Sequence, residues 1–299
     1  MKLVSYRAAK VEPFVAGVLV EDGVVDAAWA AESAGLDPTA VRRARATRGV
    51  LGLTSGGRRQ MLAAANAADG RAVPVTDVEL GPPVTDPQKI VCLGLNYRDH
   101  AAKSGMTPTP APMFFAKFCN SLVGPRAEIV PPRSTQKVDY EAEMAVVIGR
   151  RGRYIAEGDA LEHVAGVMAL NDVSARDLQL ANGLWTGGKA IDTFAPCGPS
   201  LVTVDELEGD LQALGLRTRV NGETVQDGTT ANMIFGVAAT IAFLSQIMTL
   251  EVGDILATGT PAGVGQSRTP PLFLRPGDVV EVELEGVGTL RNTVVAPTA

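Results

Sequence analysis

Asp139-Tyr140-Glu141-Ala142-Glu143-Met144-Ala145-Val146-Val147-Ile148 is the stretch whose reading decides the fold. Its second half is an apolar, β-branched run of strand length. Successive strand residues point to opposite faces, so Glu141, Glu143 and Ala145 share one side. Tyr140, Ala142, Met144 and Val146 take the other. Two carboxylates held that close repel each other unless a proton or cation sits between them.

Similar short runs flank it. Ile90 to Gly94, Leu201 to Val204, Leu216 to Val220 and Val279 to Leu284 read as strands. Asn221-Gly222 between strand-like runs signals a tight hairpin. Phe14 to Val20, then Glu21-Asp22-Gly23 and Val24-Val25, predicts another. Two segments read as helices: Glu157 to His163, running on into apolar residues, and Gly236 to Met248. Arg42 to Ala68 is helical in character, broken near Thr54-Ser55-Gly56-Gly57. No βαβαβ rhythm appears, so the expectation is an α+β, mainly β fold. A small N-terminal module over residues 1–80 precedes a catalytic domain over 85–295, the two joined by a proline-rich connector.

Composition narrows the function. The chain has 299 residues, 46% hydrophobic, with a net charge of -6. It lacks the basic footprint that phosphate contacts need, so no nucleic-acid partner is expected. Cys92, Cys119 and Cys197 are odd in number and widely spaced, which fits neither a disulfide framework nor a metal knuckle. No apolar run is long enough for a membrane span or a signal peptide, so a cytoplasmic location is expected.

A second acidic position completes the pair. Asp172 ends the apolar run Val164 to Leu170 and opens a polar loop. Glu141, Glu143 and Asp172 would offer oxygen ligands suited to Mg²⁺ or Mn²⁺, with positions left for water and substrate. Spacing alone fits a solvated strand face and a helix cap equally well. His100 titrates near neutrality and suits a general base, although a loop histidine at the surface has the same signature. Lys189 lies among glycines and apolar residues, where it could stabilise an oxyanion. The loop Leu256 to Gly265 is glycine-rich without a nucleotide-binding pattern, and its amides and threonines could cradle a carboxylate.

Taken in order, GLNYRDH, KVDYEAEMAVVIG, NDVSARDLQ, GKAIDTFAPCGP, VNGETVQDG and GDILATGTPAGVG resemble the fumarylacetoacetate hydrolase family over roughly residues 85 to 295. The resemblance implies a mixed β-sandwich roll, a homodimer and a divalent metal. It assigns Glu141, Glu143 and Asp172 to the metal, and His100 and Lys189 to catalysis. It places Tyr97, Arg176, Gln179 and Thr260 with the substrate, a small 2-oxo acid. The implied reaction is hydrolysis of a C–C bond in a 2,4-dioxo acid through a metal-stabilised enolate. The alternative is isomerisation or decarboxylation of a 2-hydroxymuconate-type or 2-oxo dicarboxylic acid; a third reading is a binding protein without turnover.

Departures from the family pattern bear on that choice. Lys103 stands where hydrolytic relatives carry a glutamate one helical turn after the histidine, and it is expected to lower the basicity of His100. This favours the isomerase or decarboxylase reading. Leu95 replaces an arginine, and Ala190-Ile191 replaces Ser-Phe, so the pocket differs too. The substrate's tail is expected to depend on the loops Lys103 to Pro112 and Asp177 to Gly187.

Overall fold

The computed structural model describes residues 1–297 except Asp22, Met106 and Asn182. The expected turn at Glu21-Asp22-Gly23 and the two loops named for the substrate's tail therefore each include a residue outside the described ones. Among the described residues, an eleven-stranded sheet forms the spine. Its order runs Gly23–Asp26, Val15–Val20, Lys2–Arg7, Ala195–Thr203, Val164–Asn171, Ala142–Ile148, Ile255–Ala257, Ile90–Gly94 and Met113–Lys117. Glu79–Gly81 and Leu122–Val123 pair with it off this path. The first strands of the chain thus join the same sheet as the carboxylate-bearing strand.

Both faces of this sheet are covered. Ala145 and Val147 pack with Ala30, Leu51 and Met61 from the N-terminal helices. Met144, Val146 and Ile148 pack on the other side against Ile241 and Leu244 of the helix Val237–Ile247, and against Leu216, Val282 and Leu290. The last three belong to a five-stranded sheet of Glu223–Thr229, Gly215–Val220, Val279–Leu284, Gly288–Val294 and Glu128–Ile129. Double coverage explains why Ala142–Ile148 reads as an unbroken apolar run after Glu143 and is buried at every position. Each such aliphatic side chain contributes on the order of 1.5–3 kcal/mol on burial.

The mainly β, mixed architecture is as expected, and the helix Val237–Ile247 falls where its periodicity placed it. The Glu157 to His163 segment differs. It is a 3₁₀ helix, and the apolar residues after it leave the helix for the strand Val164–Asn171. That strand has neighbours on both sides, and a Cβ at Gly166 would sit 2.2 Å from the Val202 carbonyl oxygen. Ladder hydrogen bonds and two-sided burial outweigh local helical preference here. The break near Thr54 is also sharper than expected. Thr54 caps the helix Ser55–Asn66 by accepting from Gly57 N–H, so Ser55, Gly56 and Gly57 lie inside its first turn.

The hairpin at Asn221-Gly222 forms with a two-residue loop, Val220 pairing with Glu223. Both loop residues adopt positive φ, 52° and 85°. This conformation matches the twist of the flanking strands and favours asparagine and glycine. A Cβ at Gly222 would meet nothing within 4 Å, so only backbone strain opposes it. Gly222→Ala is therefore expected to cost about 1–2 kcal/mol. In urea unfolding this appears as a lower midpoint at unchanged m-value.

Candidate active site

Antiparallel register assembles the acidic cluster. Ala142 pairs with Asn171 and Glu143 with Leu170, so the next residue along brings Asp172 opposite Glu141. The Asp172 N–H donates to the Glu141 carbonyl at 2.9 Å, extending the ladder by one rung. Asn171 Oδ1 accepts from Glu141 N–H at 3.0 Å and pins the strand end. Glu141, Glu143 and Asp172 are all buried, and each offers a carboxylate oxygen within 4.8 Å of the others. The solvated-face alternative is thereby excluded for all three.

Cations gather round them. Lys189 Nζ donates to Glu141 Oε2 at 2.7 Å and to Asp172 Oδ2 at 2.8 Å. Lys117, at the end of the edge strand Met113–Lys117, bonds Asp172 Oδ1 and reaches the Val173 carbonyl at 3.1 Å. Arg176 Nη2 lies 2.7 Å from Glu141 Oε1. Lys189 and Arg176 stand on two short helices, Thr186–Lys189 and Arg176–Gln179. Gly188 lets these meet, since a Cβ there would fall 2.4 Å from Gln179 N and 2.6 Å from the Ala175 carbonyl oxygen.

The charges divide unevenly. Burial raises the Glu141 carboxyl, but Lys189 and Arg176 outweigh it and hold the group below the usual range. Glu143 is pushed well above that range by burial and by the charges of Asp172 and Glu141. Its Oε2 accepts from Gly259 N–H at 2.8 Å. Gly259 has φ of 90°, and a Cβ would come 2.9 Å from Asn96 Cβ, so glycine is required for this approach. Burial opposes charge on Lys189, yet Asp172 and Glu141 raise its pKa overall.

A cavity of about 110 Å³ opens beside this cluster, lined by His100, Glu141, Arg176, Gln179, Lys189 and Thr260 among others. Its apolar walls include Leu93, Leu95, Phe115 and Trp185. It is far below the roughly 300–1,000 Å³ of pockets for drug-sized ligands, so it suits a small acid. Thr260 Oγ1 accepts from Gln226 Nε2 at 2.9 Å, which leaves its own hydroxyl proton to donate. Burial lowers the His100 pKa against the opposing pull of Glu141, keeping the imidazole neutral at physiological pH.

Most residues singled out in the sequence thus converge, with exceptions. Tyr97 does not line the cavity; its side chain is fully buried in the core with Met144 and Val146. Three amides of the glycine-rich loop already serve protein carboxylates. Gly259 N–H serves Glu143, Gly265 N–H serves Asp139 at 2.7 Å, and Ala262 N–H approaches Asp99 at 3.3 Å. Lys103 is exposed, and the low pKa of His100 arises first from burial and then from Arg176 and Lys189, against the opposing charges of Glu141 and Asp99. Lys117, Asp139 and Gln226 were missed. A lysine closing the apolar run Met113-Phe114-Phe115-Ala116 was the available signal for the first. Gln226 lay within VNGETVQDG, where it also accepts from Ala142 N–H at 2.9 Å.

The donor set fits a divalent ion. All three donors are hard carboxylate oxygens, the class Mg²⁺ and Mn²⁺ take. The elevated pKa of Glu143 marks a place where a cation would relieve like-charge repulsion.

Comparison with known proteins agrees with this geometry. Residues 89–295 match the family described as Fumarylacetoacetate (FAA) hydrolase C-terminal. The chain is 47% identical over 231 residues to the human protein Oxaloacetate tautomerase FAHD2A, mitochondrial, covering 77% of this chain and 73% of that one. It is similar to the crystal structure of 2-hydroxyhepta-2,4-diene-1,7-dioate isomerase from Mycobacterium marinum, with TM-score 0.67 and 40% identity over 77% of this chain and 83% of that one. Maleylpyruvate hydrolase from Sphingobium sp. SYK-6, in complex with manganese(II) ion and pyruvate, matches over 100% of both chains with TM-score 0.79 and 29% identity. No described helix is long and apolar enough to cross a membrane.

Glu143→Gln removes one of three clustered charges. The variant is expected to melt no earlier than the unchanged protein in chelator, yet to gain nothing from added Mn²⁺. The unchanged protein gains about 2.7 kcal/mol at a hundredfold excess over Kd. Scanning calorimetry with and without Mn²⁺ checks both halves.

Proposed function

Because the chain belongs to the fumarylacetoacetate hydrolase family, we propose that it interconverts the keto and enol forms of a small 2-oxo dicarboxylic acid of the oxaloacetate type. The observation that carries this reading is the buried triad Glu141, Glu143 and Asp172, whose Glu141 lines a cavity with Lys189, His100 and Thr260 in its wall. The 47% identity to an oxaloacetate tautomerase supports this reaction among the family's several.

Charge supports an anionic substrate. The buried acids Asp139, Glu141, Glu143 and Asp172 face the buried cations Lys117, Arg176 and Lys189, an excess of one negative charge when all are ionised. A divalent ion on the triad turns that into an excess of one positive charge. The ion would be Mg²⁺ or Mn²⁺, and when bound it supplies electrophilic polarisation of the keto oxygen.

The chain's own groups do the rest. The Thr260 hydroxyl donates to a substrate carboxylate, and Arg176 adds attraction for the dianion. Neutral His100 takes a proton from the carbon beside the keto group and returns it in the reverse direction. Lys189 Nζ donates toward the oxygen on which negative charge grows. Leu93, Leu95, Phe115 and Trp185 keep bulk water away from that oxygen.

Hydrolysis of a 2,4-dioxo acid is the second reading, favoured by the full-length match to a maleylpyruvate hydrolase bound to manganese and pyruvate. It uses the same groups, with His100 deprotonating a water. Incubation with Mn²⁺ and either enol-oxaloacetate or an acylpyruvate, followed by ultraviolet absorbance and product analysis, separates the two. Accelerated enol decay without bond cleavage supports the tautomerase; pyruvate plus a second acid supports the hydrolase. Evolved carbon dioxide would replace both with a decarboxylase, and no acceleration over Mn²⁺ alone would reject the enzymatic reading. Lys189→Met is expected to lower kcat by roughly 10²–10³. His100→Gln is expected to lower it by roughly 10²–10⁴. Steady-state rates on folded variants check both.

A further inference from the structure

Asp139 stands two residues before Glu141 and is fully buried, outside the lining of the cavity. It nonetheless touches two of the cavity's walls. Its Oδ1 accepts from Gly265 N–H at 2.7 Å and from Tyr140 N–H at 2.8 Å. Its Oδ2 accepts from Gln266 N–H at 3.0 Å and from Arg176 Nε at 2.8 Å. Four donors converge on one carboxylate and fill its lone-pair sites.

The two walls are a loop and a guanidinium. Val264, Gln266 and Ser267 line the cavity on either side of Gly265. Gly265 reaches Asp139 only because it lacks a side chain: a Cβ would lie 1.9 Å from the Leu272 carbonyl oxygen and 2.7 Å from Asp139 Oδ1. Arg176 spends Nε on Asp139, Nη1 on Gln179 Oε1 at 3.0 Å, and Nη2 on Glu141 at 2.7 Å. One carboxylate therefore joins the loop on one side of the cavity to the arginine that touches the metal-site acid on the other.

We propose that Asp139 is a positioning residue that holds Arg176 in register between Glu141 and the Gly265–Gln266 loop, so that the metal site and the substrate wall keep one fixed relation. Without it, the guanidinium turns its charge onto Glu141 and competes there with a divalent ion, while the loop loses its anchor. The substrate half of this inference rests on the reading of the cavity given above; the metal half does not.

Asp139→Asn tests it with nearly unchanged shape. Whichever way the amide turns, its NH₂ meets two N–H donors that the carboxylate had accepted. Losing such charge-assisted bonds is expected to raise the Mn²⁺ dissociation constant about tenfold, read by the electron paramagnetic resonance of free Mn²⁺. KM for the 2-oxo acid is expected to rise about tenfold, with kcat falling much less. Values for both constants within about twofold of the unchanged protein, whatever the melting temperature does, would overturn the proposal. A double-mutant cycle on Mn²⁺ affinity adds a second arm. In an Arg176→Met background Asp139→Asn is expected to add little, and full additivity would also overturn the inference. That background removes the stranded guanidinium, so it serves if the single variant does not fold. Should the unchanged protein turn over no 2-oxo acid, the proposed reaction fails and the Mn²⁺ measurements alone decide for or against Asp139.

Discussion

One backbone hydrogen bond organises the centre, that from Asp172 N–H to the Glu141 carbonyl. It continues the antiparallel ladder past the end of the strand Val164–Asn171 and fixes which acid faces which. Glu143 then follows two residues along on the same face, as the pleat demands. Three carboxylates in a dry core would be a large liability if left alone. Here Lys117, Lys189 and Arg176 surround them, each from a different segment of the chain. The spine of the sheet thus supplies the negative charge, and peripheral strands and short helices supply the answer to it.

Much of this was legible in the residues. The run after Glu143 announces a strand, the period of two puts Glu141 and Glu143 together, and the ordered segments from GLNYRDH to GDILATGTPAGVG carry the family resemblance. The partners that balance the acids were far less visible. Lys117 closes an apolar edge strand, a faint local hint, while Asp139 lies in the two-residue strand Val138–Asp139 before Glu141, where nothing local distinguishes it from a solvated residue. Their importance comes from contacts 55 and 126 residues away, to Asp172 and Gly265, which periodicity does not reveal. The same blindness explains the glycine-rich loop. Its composition suggested amides waiting for a ligand, but the fold brings protein carboxylates to three of them first.

Tyr97 and the segment after His163 teach a related point. The family resemblance, carried in part by GLNYRDH, placed Tyr97 with the substrate. The chain turns so that His100, three residues on in the helix Arg98–Ser104, reaches the cavity and Tyr97 is left in the core. Val164–Asn171 reads as a continuation of a helical turn until its two neighbouring strands are known. In both cases the sequence carried the right residue types, and only the three-dimensional arrangement decided their roles.

The acids reside on backbone locked into a ladder, whereas much of the cavity's apolar lining comes from positions beyond strand ends, such as Leu95, Trp185 and Val264. This separates a costly chassis from replaceable upholstery. Evolution can refit the seat for a new guest by swapping those side chains, because none of them bears the charge that the frame must keep in balance.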